Sequence, residues 1–270
     1  MELQNLALAF ALPLIAGSFT VVGGLIAIFA KPTNKNFLAI CLSFSAGVMI
    51  YISFVEIFHH AYEDLEYAFE GRGFMIATAA FFGGIVLSSL FDKIMPHEEE
   101  DALESAMDAK KDGSGLTGRD RRALKRMGVA TAVAVAIHNF PEGIITFMAV
   151  LHDPGVGIAI AAAIAIHNIP EGIAVAAPIH FATGSKKKAI LMSAIAGVAE
   201  PIGAIAAFLV VRHFFNEALL GIVFGAVAGI MVYISFHQLL PTAIKFGKHH
   251  TVMKGLFAGM AVMALTLFVL

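Results

Sequence analysis

Eight long apolar runs constrain this chain more than any other feature of its sequence. The runs cover residues 6–30, 37–58, 74–95, 127–151, 155–182, 188–211, 218–240 and 252–270. Each is close to the roughly 20 residues that an α-helix needs to cross the hydrocarbon core of a bilayer. Because the 270 residues are 59% hydrophobic and only 14% charged, the composition excludes a soluble globular protein. The sequence therefore predicts an all-α integral membrane protein with eight transmembrane helices.

The basic residues lie almost entirely on one side of the predicted spans. Of the 18 Lys and Arg residues, only Arg72 and Arg212 fall in connections predicted to face outward. Cytoplasmic connections carry an excess of Lys and Arg, so both termini are predicted to be extracytoplasmic. The connection of residues 96–126 mixes charged residues with Gly and Ser, which is typical of a solvated, mobile loop. This loop is predicted to lie in the cytoplasm.

The spans are predicted to form one transmembrane domain with an internal repeat. Its parts are helices one to three (1–95), the cytoplasmic loop (96–126), central helices four and five (127–182) and helices six to eight (183–270). Tyr-Ile-Ser-Phe occurs at residues 51–54 of the second span and again at residues 233–236 of the seventh. These spans cross in opposite directions, which favours a 3+2+3 arrangement with an inverted repeat, as in many transporters. A duplication without alternating access is the other explanation.

A second repeat places polar residues at membrane depth in the two central spans. Residues 137–143 read Ile-His-Asn-Phe-Pro-Glu-Gly, and residues 166–172 read Ile-His-Asn-Ile-Pro-Glu-Gly. Positions i, i+1 and i+4 share one face of a helix, so each copy presents a His, an Asn and a Glu together. The candidate ligands are His138, Asn139, Glu142, His167, Asn168 and Glu171. Each proline also frees the carbonyl four residues earlier from helical hydrogen bonding, so that this carbonyl can face a cation or water.

The sixth span adds a third carboxylate, Glu200, which is also followed by proline. Charged groups inside a membrane are costly and mark function by default, and the apolar stretches around these acids contain no Lys or Arg. The acids are therefore either neutralised by bound divalent cations or protonated as part of a proton relay. The histidines favour a metal, because imidazole is the commonest metal ligand in proteins. Cys41 is the only cysteine, which excludes a thiolate cluster.

The donors divide between two adjacent cation positions that share bridging carboxylates. The first position takes nitrogen and oxygen donors, a set suited to Zn²⁺ or Fe²⁺, from His138, His167, Glu142 and Glu171. The second position takes only oxygen donors, from Asn139, Asn168, Glu142, Glu171 and Glu200. The absence of a soft sulfur ligand disfavours Cu⁺.

Further polar residues flank this centre. Glu56, toward the outer end of the second span, is either an entrance ligand or an interfacial acid. His59 and His60 are predicted to follow it in the outer loop. His237 and Gln238 follow the second Tyr-Ile-Ser-Phe and are placed to assist near the cytoplasmic side.

Residues 138–143, residues 167–172 and Glu200-Pro201 strongly resemble the motifs of the ZIP (Zrt-, Irt-like) metal transporters, especially their bacterial ZupT-like branch. The resemblance covers essentially the whole chain. It implies a binuclear metal site in spans four to six, with a further carboxylate from the second span, which here matches Glu56. Two departures stand out: the long loop lacks a His-rich run, and His237-Gln238 replaces residues that are often acidic in relatives.

The resemblance implies a transporter of the bacterial inner membrane that takes up zinc, iron, manganese, cobalt and cadmium by alternating access. Metal ions are then substrates, no cofactor is expected, and the chain is not an enzyme. The expected partners are divalent metal ions and lipid, without nucleic acid, and a homodimer is one assembly open to the chain. The other two classes considered are an intramembrane metallohydrolase, for which the sequence lacks an HExxH motif, and a receptor that binds metal without flux.

Overall fold

The computed structural model describes residues 3–29, 35–93, 117–214 and 216–269. Within these ranges the chain is helical and contains no strand, and eight helices are long and apolar enough to cross a membrane. The all-α prediction with eight spans is thereby confirmed. Most of the predicted cytoplasmic loop, residues 96–116, lies outside the described residues.

The eight helices are numbered here in chain order. They are α1 (Leu3–Phe29), α2 (Lys35–Ala68), α3 (Gly73–Asp92), α4 (Gly118–His152), α5 (Pro154–Thr183), α6 (Lys186–Gly197 continued by Ala199–Phe214), α7 (Glu217–Phe246) and α8 (His249–Val269).

Two helices extend well beyond their predicted bounds. Helix α2 continues to Ala68, so the placement of His59 and His60 in an outer loop was wrong, and both are helical. Helix α4 begins at Gly118 and not near residue 127, because Thr117 and Asp120 form a capping box. The Thr117 hydroxyl accepts from the backbone N–H of Asp120 at 3.2 Å, and the Asp120 carboxylate accepts from that of Thr117 at 2.9 Å. Such caps satisfy amides that a helix leaves unpaired at its start.

The repeated Tyr-Ile-Ser-Phe sequences lead into two π-helical turns, Ser53–Ile57 in α2 and Ser235–Leu239 in α7. In both, the serine hydroxyl donates to the carbonyl four residues earlier, at 2.6 Å in α2 and 2.8 Å in α7. A π-helical turn inserts one residue into the helix and frequently lies at a functional site. The repeated sequence therefore corresponds to a repeated local structure.

The helices pack as two groups of four. Helices α1 and α6 pack against the central helices α4 and α5, whereas α3 packs against α7, and α8 packs against α2. The two groups meet mainly where α2 contacts α5, and there the Ser45 hydroxyl donates to the carbonyl of His167 at 3.3 Å. Large apolar side chains remain exposed outside both groups, including Phe29 at 77% and Phe268 at 88%, as expected for a surface in contact with lipid.

Candidate metal centre

The connection between α4 and α5 sets the relative positions of the two central motifs. It consists of Asp153 alone, whose carboxylate accepts from the backbone N–H groups of Gly155 and Val156, while Pro154 begins α5. Proline is favoured at the first helical position because its missing N–H would be unpaired there anyway. His138 and His167 are nearly the same number of residues from this turn. The two motifs therefore reach the same depth on facing helices.

The histidine of each motif lies against the glutamate of the other. Nε2 of His138 is 3.1 Å from Oε2 of Glu171, and Nε2 of His167 is 3.2 Å from Oε1 of Glu142. The four side chains are 0–5% exposed, so water does not separate them. The donors assigned to the first cation position are thus brought together by α4 and α5.

The two asparagines turn their amide nitrogens away from this group. Nδ2 of Asn139 donates to the carbonyl of Ala196 in α6 at 3.4 Å. Nδ2 of Asn168 donates to the carbonyl of Ala16 in α1 at 2.9 Å and also to Oε1 of Glu200. Their amide oxygens, which are the atoms that ligate metals, are left available.

Glu200 reaches the centre because α4 and α6 approach closely. A Cβ atom on Gly143 would collide with the backbone carbonyl of Glu200, so only glycine permits this spacing. Helix α6 is interrupted at Val198, in the turn where Pro201 has no N–H to donate to the carbonyl of Gly197. Glu200 itself is 0% exposed.

Many oxygen atoms of these residues are buried without a hydrogen-bond partner in the described part of the chain. They are Asn139 Oδ1, Asn168 Oδ1, Glu142 Oε2, Glu171 Oε1 and Glu200 Oε2, together with Glu171 Oε2, which contacts Nε2 of His138 without hydrogen-bond geometry. Buried polar atoms are almost always hydrogen-bonded, and a buried carboxylate without a counter-charge is strongly unfavourable. A cluster of unpartnered oxygens around three acids fits a cation. Divalent ions satisfy both the lone pairs and the charge.

The donors do not form a closed cage in this conformation. Among the described residues, no group of three or more His, Cys, Asp or Glu side chains is arranged so that it could hold a metal ion. Each histidine lies against a glutamate, and the nitrogen and oxygen atoms of the two pairs face one another directly.

A cavity of about 380 Å³ extends from this centre. It is lined by His138 and Glu171 and also by Asp92, His237 and Gln238. Oδ2 of Asp92 is 2.6 Å from Nε2 of His237, and Nε2 of Gln238 donates to Oδ1 of Asp92 at 3.2 Å. Asp92, which is 6% exposed, was missed in the sequence. The only signal was an acidic residue at the very end of the third apolar run.

The contacts described above for the central group do not include Glu56. It lies in the π-helical turn of α2, and its Oε1 is 3.3 Å from Nε2 of His60 one turn later. Both side chains are about one-fifth exposed. The structure therefore places Glu56 beside a histidine of its own helix, in the C-terminal half of α2.

Comparison with known proteins relates this chain to one family of membrane proteins. The family described as ZIP Zinc transporter matches residues 92–267. A protein of Nitratidesulfovibrio vulgaris named zinc transporter ZupT is 51% identical over 268 residues, with 97% of each chain covered. Proteins of the same name from Clostridium perfringens (48% identical; 98% of this chain and 97% of the relative) and Oceanobacillus iheyensis (50% identical; 99% and 100%) are similarly close.

Proposed function

The chain belongs to the ZIP family of zinc transporters, and on this premise we propose that it takes up Zn²⁺ and related divalent ions through two adjacent metal positions between α4, α5 and α6. It is a multi-pass protein of the bacterial inner membrane. It is a transporter and not an enzyme, and its metal ions are substrates that pass through the protein. The observation that carries the proposal is the cluster of buried, unpartnered carboxylate and amide oxygens.

The first position lies where the reciprocal pairs now meet. An ion there would replace the contacts of 3.1 Å and 3.2 Å between His and Glu with bonds to imidazole nitrogen and carboxylate oxygen. Mixed nitrogen and oxygen ligation suits Zn²⁺ and Fe²⁺. Neutral imidazole is needed for ligation, so metal binding would release any proton held on these rings.

The second position lies toward α6, where only oxygen donors are available. Asn139, Asn168 and Glu200 would complete it, with Glu142 and Glu171 shared between the two ions. Two divalent ions would more than neutralise the three carboxylates, which have no Lys or Arg in the surrounding apolar stretches, and would leave a small positive excess. The oxygen set admits harder ions such as Mn²⁺, and the whole site is proposed to accept iron, cobalt and cadmium as well.

Alternating access would move one group of four helices against the other. The site belongs to the group α1, α4, α5 and α6, and its boundary with the second group runs mainly between α2 and α5. The cavity lined by Asp92 and His237 supplies a path away from the centre, which the predicted topology directs toward the cytoplasm. Glu56 and His60 would receive metal at the opposite side.

We further propose a single transmembrane domain over residues 1–270 with a 3+2+3 inverted repeat and extracytoplasmic termini, while a homodimer stays a prediction.

Flux of radioactive zinc into proteoliposomes tests this function. Glu142→Ala and Glu171→Ala should nearly abolish flux while leaving the protein folded, as judged by size-exclusion chromatography. Glu70→Ala serves as the control, because Glu70 is exposed and lies just after the end of α2. Wild-type flux in either central variant would refute the assigned ligands, and saturable binding without flux in the wild-type protein would identify a receptor.

A further inference from the structure

The contacts of α1 with α5 repeat those of α6 with α4. The carbonyl of Ala16 in α1 accepts from Asn168 of α5 at 2.9 Å, and the carbonyl of Ala196 in α6 accepts from Asn139 of α4 at 3.4 Å. One helical turn beyond each acceptor alanine lies a polar residue. On α6 this residue is Glu200.

The residue that corresponds to Glu200 on α1 is Thr20. A Cβ atom on Gly172 of α5 would collide with the carbonyl of Thr20, just as a Cβ atom on Gly143 of α4 would collide with the carbonyl of Glu200. The pair α1 and α5 therefore makes the same backbone contacts as the pair α6 and α4. When each helix is matched with its counterpart in this way, Thr20 occupies the position of Glu200.

The side chains of these two residues also leave their helices at equivalent places. Helices α1 and α6 touch at Gly17 and Gly197, where a Cβ atom on either glycine would collide with the carbonyl of the other. A Cβ atom on Gly197 would lie 3.2 Å from Cβ of Thr20, and one on Gly17 would lie 3.5 Å from Cβ of Glu200. Thr20 and Glu200 are both 0% exposed. Each side chain is thus enclosed beside the glycine contact of α1 with α6.

The Thr20 hydroxyl has no hydrogen-bond partner among the described residues. Ser43, Ser53 and Ser235, which are equally buried, each donate to the carbonyl four residues earlier, the usual arrangement in an apolar helix. For Thr20 that carbonyl belongs to Ala16 and accepts from Asn168 instead. The Thr20 hydroxyl is left without the partner that a buried hydroxyl requires.

We propose that Thr20 is a further residue of the metal site and supplies its hydroxyl oxygen to the ion in the second position. Since Glu200 accepts from Asn168, the same arrangement on α1 would direct the Thr20 oxygen toward the Asn139 side of that position. Oδ1 of Asn139 is itself buried without a partner in the described ranges, so the two unsatisfied oxygens would then serve the same ion. The inference rests on the two metal positions proposed above and adds a neutral, hard donor to them.

Calorimetric titration of the purified protein with Mn²⁺ and with Zn²⁺ tests this role, together with flux into proteoliposomes. Thr20→Val keeps the shape and removes the oxygen. It should weaken Mn²⁺ binding roughly tenfold, the lower end of the range for groups that support metal ligands, and Zn²⁺ binding less, because Mn²⁺ depends more on oxygen donors. Thr20→Ser should bind as the wild type does. Thr78→Val in α3 is the matched control, since the Thr78 hydroxyl is also buried without a partner but lies on a helix that packs against α7 and α2.

Unchanged Mn²⁺ affinity in a folded Thr20→Val protein would overturn the inference and leave the proposed transport function intact. A wild-type protein that shows neither zinc binding nor zinc flux would instead overturn the proposed function, and this inference with it. A double exchange supplies a test that does not depend on the valine variant. Thr20→Glu combined with Glu200→Thr should restore binding relative to Glu200→Thr alone, and a folded double variant without restoration would count against the equivalence of the two positions.

Discussion

The Glu142→Gln variant tests whether the carboxylate of Glu142 serves metal binding or the stability of the fold. Glu142 is 1% exposed, Oε1 lies 3.2 Å from His167, and Oε2 has no partner in the described part of the chain. Glutamine preserves the shape and an oxygen beside His167 but removes the charge. A buried carboxylate without a counter-charge is strongly unfavourable, and glutamine removes this charge. Without metal, the variant should therefore unfold no more easily than the wild type.

In the presence of zinc, the wild type should be more stable than the Glu142→Gln variant. A group that merely orients a metal ligand contributes about 10–100-fold to affinity, so a shared carboxylate ligand should contribute at least about 100-fold. At a zinc concentration about 100 times the wild-type Kd, binding stabilises the wild type by about 2.7 kcal/mol. The variant, with its weaker Kd, would then gain only about 0.4 kcal/mol.

Apparent melting temperatures in detergent with and without zinc, combined with calorimetric Kd values, measure both effects. Glu70→Gln is the control, because Glu70 is exposed and lies just after the end of α2. It should leave both measurements unchanged. A Glu142→Gln protein that keeps wild-type zinc affinity, or that melts well below the wild type without zinc, would show that the carboxylate serves the fold.

Three further changes test the packing and the path from the centre. Gly172→Ala places a Cβ atom against a backbone carbonyl of α1 and should lower stability by about 1–3 kcal/mol; Gly83→Ala, where a Cβ meets nothing within 4 Å, should not lower the melting temperature. Asp92→Asn keeps the size of a residue that lies 2.6 Å from a histidine of α7, and should slow zinc flux in stopped-flow measurements without changing the calorimetric Kd of the central site. Phe147→Ala removes a fully buried ring and should cost about 3–5 kcal/mol, seen as equal losses of melting temperature with and without zinc.

The sequence was sufficient for the fold class and for the residues of α4 and α5. Helical periodicity puts His138, Asn139 and Glu142 on one face, and the single-residue connection at Asp153 aligns this face with its copy in α5. Both facts are local, and local patterns are what a sequence records most directly. The family resemblance is confirmed by the comparisons, while the ligand roles of these residues stay predictions.

Residues whose roles depend on distant contacts were harder to find. Asp92 beside Lys93 looks like an ordinary interfacial acid, and only the approach of α7 buries it against His237. The start of α4 was placed too late because charged residues obscured the capping box at Thr117. Thr20 carried no signal, since a hydroxyl in an apolar helix normally bonds within its own helix.

The difference in charge between Thr20 on α1 and Glu200 on α6 bears on the release of metal from the proposed site. With a carboxylate at both positions, four acids would fully neutralise two divalent ions in a buried site, where attraction between charges is strong. With threonine on α1, the proposed two-ion state would have three acids and a residual positive charge, so the second ion would be bound less firmly than the first. A carrier must bind firmly enough to remove water from its ion and weakly enough to let it leave. A near-symmetric pair of helices that differ by one charge would meet both demands, because the proposed ligands would then hold one ion tightly and two ions only loosely.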